Sequence, residues 1–463
     1  MSDRDLALQH AESNFAQTMR DLVEFTKIPS ISTAKPPDAA CIRSAEYARQ
    51  LLAKAGLENT RVLELEGAHP YAYGEWLHAE GAPTILLYGH HDVQPPGRAD
   101  RWISPAFEPQ ERDGRIYARG IVDDKAGVMI HCAAIKAWLG ATGKLPVNLK
   151  MVVEGEEEIG SDHLPEFLAK HKELLHADII CLTDTSNFDT GKPAITTSLR
   201  GLCGATVQVT SIDHRIHSGM WGGPIPDPNM AMAKLLSRLV DDYGRVSIPG
   251  IKEMVSGPTK AEKRRLAKLP LDTKLFREQA GLVKGVKLLD QKGTSVWEQL
   301  WWRPSITIVA LESQPIEGSS NQIIDSVAAR VSLRLVPDMD PKKTQKLLVK
   351  FLTKDPPLGC KVEVTPETTA TWWYCEPEGP AFDAARRALK LGYGTKPVTV
   401  GCGGTIPFVK PFAEAFGGAP CLLLGLEDPV CNAHGENESL HVEDFRKGIL
   451  SAVHLYEELA SAE

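Results

Sequence analysis

Hydrophobic positions along the chain follow two textures. Over residues 4–28 apolar side chains recur at helical spacing (Leu6, Phe15, Met19, Leu22, Val23, Phe25), and Ile28-Pro-Ser-Ile-Ser ends the predicted helix. A second amphipathic helix is predicted near Cys41–Ala55, closed by Gly56, and a strand follows over Thr60–Leu65. Three short apolar runs then stop abruptly at polar clusters. Thr84–Tyr88 stops at Gly89-His-His-Asp-Val-Gln-Pro-Pro96, Val147–Val153 at Glu154-Gly-Glu-Glu-Glu-Ile-Gly-Ser161, and Ala177–Thr183 at Asp184. Between the first two, Val128–Leu139 reads as a buried helix, preceded by Asp123-Asp-Lys-Ala-Gly127. Buried strands interleaved with helices predict an α/β domain, its mixed and mainly parallel sheet flanked by helices. Open sheets of this kind bind ligands at the carboxyl ends of their strands.

After about Arg200 the texture changes. Gly204–Thr210 and Ala328–Val336 alternate as half-exposed strands, with helices predicted over Asn229–Asp242 and Pro341–Leu352 and a solvated helix face over Lys260–Lys268. Trp297, Trp301 and Trp302 read as packing residues. This is the pattern of a small α+β insert with one sheet face exposed. The first texture returns from about Pro377: a helix over Ala381–Leu391, the glycine-rich turn Val398–Pro407, a strand over Pro420–Gly425, the polar stretch Asn432–Glu438 and a helix over Val442–Ala460. The expected division is therefore one domain in two parts, 1–200 and 377–463, interrupted by a second at 201–376.

Length supports two domains, since 463 residues exceed one ordinary core. The net charge of -8 leaves no footprint for nucleic acid or an anionic membrane, and no apolar stretch approaches the roughly 20 residues that span a bilayer. The N-terminal segment lacks the apolar core of a secretory signal, and the nine cysteines are scattered without a CxxC pair. A cytoplasmic enzyme with reduced thiols is expected.

Candidate chemistry lies at the strand ends. Alternation along an extended chain turns His90 and Asp92 to one side and His91 to the other, so His90 is a candidate ligand and Asp92 a partner for its second ring nitrogen. Two histidines in a surface turn would give the same local pattern. Asp123 and Asp124 precede a helix start, where an N-cap accounts for one acid; a second acid followed by Lys125 exceeds what capping needs. The glutamate run after Val153 follows a strand and is closed by Gly160, as if a tight turn displayed it.

Taken in order, GHHDVQP, RGIVDDKAG, EGEEEIGS, Asp184, HSGMWGG and His434 resemble the co-catalytic metallopeptidase family. That family includes carnosine-type dipeptidases, succinyl-diaminopimelate desuccinylase, acetylornithine deacetylase, aminoacylase and bacterial glutamate carboxypeptidase. The resemblance runs through nearly the whole chain and leans towards the dipeptidase branch. It implies two divalent metal ions, usually zinc, bridged by Asp123. His90 and Asp184 would complete one site, and Glu158 and His434 the other. An oxygen and nitrogen ligand set suits zinc and also admits manganese or cobalt. Glu157 would be the general base, Asp92 would orient His90, and the Asp123–Asp124 peptide bond would be cis.

The insert would be a lid and dimerisation domain. By the same resemblance His217 would act across a homodimer interface as an oxyanion donor, and Arg334 would grip the substrate carboxylate. Asn321, Gly403, Gly404 and Thr405 would contact substrate. Two departures stand out: Ala126 where the family usually has glycine, with Gly127 one place later, and Thr405 where dipeptidase relatives often have serine. The implied function is metal-dependent hydrolysis of dipeptides or short peptides. An N-acyl-amino-acid deacylase or desuccinylase is the alternative, and a non-catalytic peptide-binding scaffold is a third reading that the intact Glu157 argues against.

Overall fold

The computed structural model describes residues 1–36, 38–406 and 408–462, so Pro407 at the end of the glycine-rich stretch lies outside the described residues. The chain forms two compact units: Met1–Thr197 with Cys375–Val400 and Ile406–Glu463, and Ser198–Tyr374 with Gly401–Thr405. The glycine-rich turn is thus split, its 401–405 segment belonging to the second unit.

In the first unit the sheet runs in the order Glu58–Leu63, Tyr71–Trp76, Asn148–Glu154, Thr84–His90, Ile179–Ser186, Cys421–Glu427 and Ala194–Leu199. The sheet is mixed. Parallel pairing is concentrated in the middle, joining Asn148–Glu154, Thr84–His90, Ile179–Ser186 and Cys421–Glu427, while the outer strands pair antiparallel. Central strands are buried on both faces, which explains why they read as continuous apolar runs. Parallel alignment brings the ends of four strands, at His90, Glu154, Ser186 and Glu427, to one edge of the sheet.

Helix Lys125–Thr142 starts at that edge and packs against Asp3–Thr26 and Val442–Ala460 in a core that includes Phe25, Val128, Ile135, Trp138, Phe445 and Tyr456. Lys125 is fully buried. Its Nζ donates to the carbonyls of Phe25 at 3.2 Å and Ile28 at 2.7 Å, satisfying the end of the first helix. A small antiparallel sheet of Ser439–His441, Arg115–Tyr117 and Gln110–Arg112 ties two loops of the sheet edge together.

The second unit is a four-stranded antiparallel sheet in the order Ser305–Glu312, Ser326–Leu335, Gly201–Thr210 and Lys361–Pro366. Burial alternates along Ser326–Leu335, as its sequence predicted. Helices Pro228–Ser237 and Pro341–Thr353 pack on these strands. The first ends sooner than its apolar pattern suggested because the chain folds back, Val240 bridging Val246. Trp301 and Trp302 are buried, and Trp297 stacks on Trp301 with ring centroids 5.2 Å apart, in keeping with packing roles. Among the described residues no helix is long and apolar enough to cross a membrane.

Candidate metal centre and substrate groups

Three of the aligned strands deliver His90, Asp184 and Glu427 at or near their ends, and the loop before helix Lys125–Thr142 adds Asp123. The two carboxylate oxygens of Asp123 face different histidines: Oδ1 lies 3.0 Å from His90 Nε2, and Oδ2 lies 3.0 Å from His434 Nε2. Asp184 Oδ1 is 3.8 Å from His90 Nε2, and Glu158 Oε2 is 3.1 Å from His434 Nε2. The structure therefore brings all five expected ligands together in two groups that share one acid.

Each ligand has a holder. The fully buried His90 directs Nδ1 at the backbone carbonyl of Asp92 at 3.0 Å, a bond that assigns the proton to Nδ1 and leaves Nε2 as the free donor atom. The Asp92 carboxylate is 3.4 Å from the same nitrogen, but it also accepts the backbone N–H groups of Glu157 at 3.2 Å and Glu158 at 3.0 Å. It thus anchors the short turn that carries both glutamates. Gln94 fixes Glu158 further, its backbone N–H donating to Oε1 at 3.1 Å and its Nε2 to Oε2 at 2.9 Å.

Asp123 and His434 are joined through a buried ion pair. Arg119 Nη1 donates to Glu438 Oε2 at 2.7 Å, and that carboxylate also accepts the N–H groups of Gly120, Val122 and Asp123. Arg119 Nη2 donates to the carbonyls of His434 at 3.0 Å and Gly435 at 3.1 Å. At Gly120, with φ +76°, a Cβ would sit 2.3 Å from Val93, so the loop closes against the first motif only with glycine.

Asp124 does not cap the helix that it precedes; its Oδ2 accepts the N–H of His90 at 3.2 Å. A Cβ on Gly127 would lie 1.9 Å from its Oδ1 and 2.4 Å from the Thr183 carbonyl oxygen, which is why glycine is needed there. The Asp123–Asp124 peptide bond is cis, as the resemblance implies.

Electrostatics test whether these residues suit metal ions. Ligand atoms of Asp123, Glu158 and His434 lie within 4.8 Å of one another, as do those of His90, Asp124 and Asp184, and those of Asp123, Asp184 and Glu427. Burial and neighbouring carboxylates hold Glu157, Asp184 and Glu427 above the usual acid range. Hydrogen bonds that it donates to the carboxylates of Asp123 and Glu158 push His434 up to about 11. For His90, burial opposes ionisation, but contacts with Asp123, Asp184 and Asp92 outweigh it. So many acids gathered around two imidazoles, several kept from ionising by burial and by one another, would be relieved by added positive charge, and the oxygen and nitrogen donors fit divalent cations such as zinc, manganese or cobalt.

Groups expected to touch substrate lie in the second unit. Arg334 Nη1 donates to Thr405 Oγ1 at 3.1 Å, and Arg200 donates through Nε to the Gly403 carbonyl at 3.2 Å. The Arg200 backbone N–H reaches the Gly404 carbonyl at 3.0 Å. Neither arginine has a carboxylate partner among the described residues. Burial, then repulsion from Arg334, pulls the Arg200 guanidinium down to about 10. Separately, His217 pairs with Gln322 beside Asn321, whose carbonyl accepts the Ser218 N–H at 2.9 Å. His217 Nδ1 accepts the N–H groups of Gly219 and Met220, so the ring proton belongs on the exposed Nε2.

Sequence reasoning missed Glu427, Arg200, Gln94 and the Arg119–Glu438 pair. Glu427 carried the same signal as Asp184, an acid closing an apolar strand; the others are defined by distant contacts.

Comparison with known proteins gives a consistent result. The model of peptidase family M20/M25/M40 matches residues 86–458. The cysteinylglycine-S-conjugate dipeptidase of Corynebacterium striatum is 33% identical over 361 residues, covering 78% of this chain and 77% of that protein. The beta-Ala-His dipeptidase of Rattus norvegicus is 31% identical over 375 residues, covering 79% of this chain and 75% of its own length. Among solved structures, a dipeptidase from Saccharomyces cerevisiae superposes with a TM-score of 0.89 at 26% identity over 100% of both chains.

Proposed function

The chain belongs to peptidase family M20/M25/M40 and is a metal-dependent dipeptidase; from that premise we propose that it holds two divalent ions, zinc first among them, through a shared Asp123, with Glu157 as general base. The observation that carries this reading is the Asp123 carboxylate, whose oxygens each lie 3.0 Å from a different histidine. His90 and Asp184 complete one set, and Glu158 and His434 the other. Ions held there would supply the acidification of a water and the polarisation of the scissile carbonyl.

The chain's own residues do the rest. Glu157, half-buried at the sheet edge, takes a proton from the attacking water and returns it to the leaving amine, a role worth about 10²–10⁴-fold. Asp92 holds Glu157 and Glu158 in register through their backbone N–H groups. Arg334 grips the dipeptide carboxylate with its bidentate fork, Arg200 adds a second charge, and Gly403, Gly404, Thr405 and Asn321 supply polar contacts.

We also read the enzyme as a cytoplasmic homodimer in which His217 serves the partner's site. Its Nε2–H is the kind of donor that an oxyanion needs. Ser305–Glu312 is an edge strand with Ile308, Val309 and Leu311 exposed, a surface suited to pairing with a second copy. The cytoplasmic assignment rests on the scattered cysteines.

The test is release of free amino acids from a dipeptide panel that includes cysteinyl-glycine and β-alanyl-histidine, with and without added zinc or manganese. N-acetyl and N-succinyl amino acids are run beside it. Turnover of dipeptides is expected; turnover confined to the N-acyl compounds would overturn the reading.

A further inference from the structure

Glu427 closes the strand Cys421–Glu427 with its carboxylate within 4.8 Å of ligand atoms of Asp123 and Asp184. The two metal sets above are complete without it. It is half-buried, and among the described residues its carboxylate accepts only a long side-chain bond, 3.4 Å, from the Ser186 hydroxyl to Oε2.

A dipeptide bears an ammonium group two bonds from the carbonyl under attack. With that carbonyl at the metal centre, the ammonium must lie beside dications, a position that is unfavourable unless a carboxylate outside the ligand set faces it. Asp123, Glu158 and Asp184 belong to the ligand sets, and Glu157 handles the water proton. Asp124 is fully buried, with one oxygen on the His90 N–H and the other packed against Gly127. Asp92 and Glu438 are taken by backbone N–H groups. Among the described acids around the centre, Glu427 is left both accessible and uncommitted.

We propose that Glu427 binds the free α-ammonium group of the substrate and so makes this centre select dipeptides over N-acyl amino acids. The inference rests on the dipeptidase reading and adds a specificity-determining residue to it. An acylated nitrogen carries no charge, cannot form the ion pair, and leaves the Glu427 carboxylate uncompensated.

The experiment compares the best dipeptide of the panel with its des-amino analogue, for alanyl-glycine the compound propionyl-glycine. Binding is measured by calorimetry on metal-loaded protein carrying Glu157→Gln, with and without Glu427→Gln, and bound metal is counted in each. Glu427→Gln should leave metal content unchanged and weaken the dipeptide about 10- to 100-fold, as expected for loss of a charged hydrogen bond, with little change for the analogue. Glu427→Asp, which keeps the charge, should retain most of the preference. Loss of a metal ion with Glu427→Gln would make it a ligand, and equal weakening of both compounds would make its role structural; either overturns the proposal. If the wild-type chain cleaves no dipeptide, the dipeptidase reading itself falls. If it cleaves dipeptides and the preference survives Glu427→Gln, only this inference does.

Discussion

Replacing Glu438 by glutamine should uncouple the two halves of the metal centre. Glu438 and Arg119 are buried, with side-chain exposures of 0% and 1%, and meet at 2.7 Å. The substitution leaves the guanidinium without its counter-charge and weakens the bonds that the carboxylate accepts from Gly120, Val122 and Asp123. Breaking a buried pair from one side costs about 3–5 kcal/mol, a large part of the roughly 5–15 kcal/mol that holds an ordinary domain together. Metal affinity should also fall by about 10–100-fold, because Asp123 hangs from Glu438 and His434 from Arg119. Denaturant titration of metal-free protein reads the first effect, and calorimetric metal titration reads the second. The double variant Arg119→Met/Glu438→Gln separates them: with no bare charge left buried and the glutamine oxygen still able to accept from the backbone N–H groups, it should recover part of the stability and none of the affinity. If Glu438→Gln stays within about 1 kcal/mol of wild type and binds metal as tightly, the pair is not what couples the two halves.

Other substitutions test the remaining assignments. Glu157→Gln should keep its metal while kcat falls by about 10²-fold or more, whereas Glu158→Ala should lose metal; metal loss in the former would shift the register by one residue. Mixing inactive Glu157→Gln and His217→Ala chains under subunit exchange should restore activity at up to roughly one quarter of all sites, and no recovery despite proven exchange would refute action in trans. Burial holds His131 down at about 4, so the unfolded chain, with its histidine near 6.5, takes up the proton first as pH falls. Stability is therefore full above about 6.5 and lost towards about 4, by a few kcal/mol. His131→Gln should flatten the fall in melting temperature over that window, and an unchanged slope would count against it.

How much of this was legible depended on the range of the interaction. The strand ends at His90 and Asp184 and the helix starting at Lys125 announced themselves locally, because a strand buried on both faces must be apolar until the residue that emerges at the edge. Asp123–Asp124 read as more than a cap, and Asp124 indeed caps nothing. The Tyr71–Trp76 strand went unnoticed because it is buried almost throughout and interrupted by Gly74, so neither period shows. The order of strands had no local signature. Nor did the pairing of Arg119 with Glu438, 319 residues apart, since only the folded chain brings them together. Asp92 was read as a partner of one histidine through a spacing of two residues; its bonds to the glutamate turn cross 65 and 66 residues and carry no such spacing.

The shared Asp123 is the core of the account, and metal stoichiometry tests it most directly. Elemental analysis of protein reconstituted with zinc or manganese and freed of excess ion should give two ions per chain for the wild type, fewer after Glu158→Ala or Asp184→Ala, and loss of both after Asp123→Ala, with dipeptide hydrolysis lost in parallel. A wild-type chain that cleaves dipeptides with a single ion, or an Asp123→Ala chain that retains both, would contradict it.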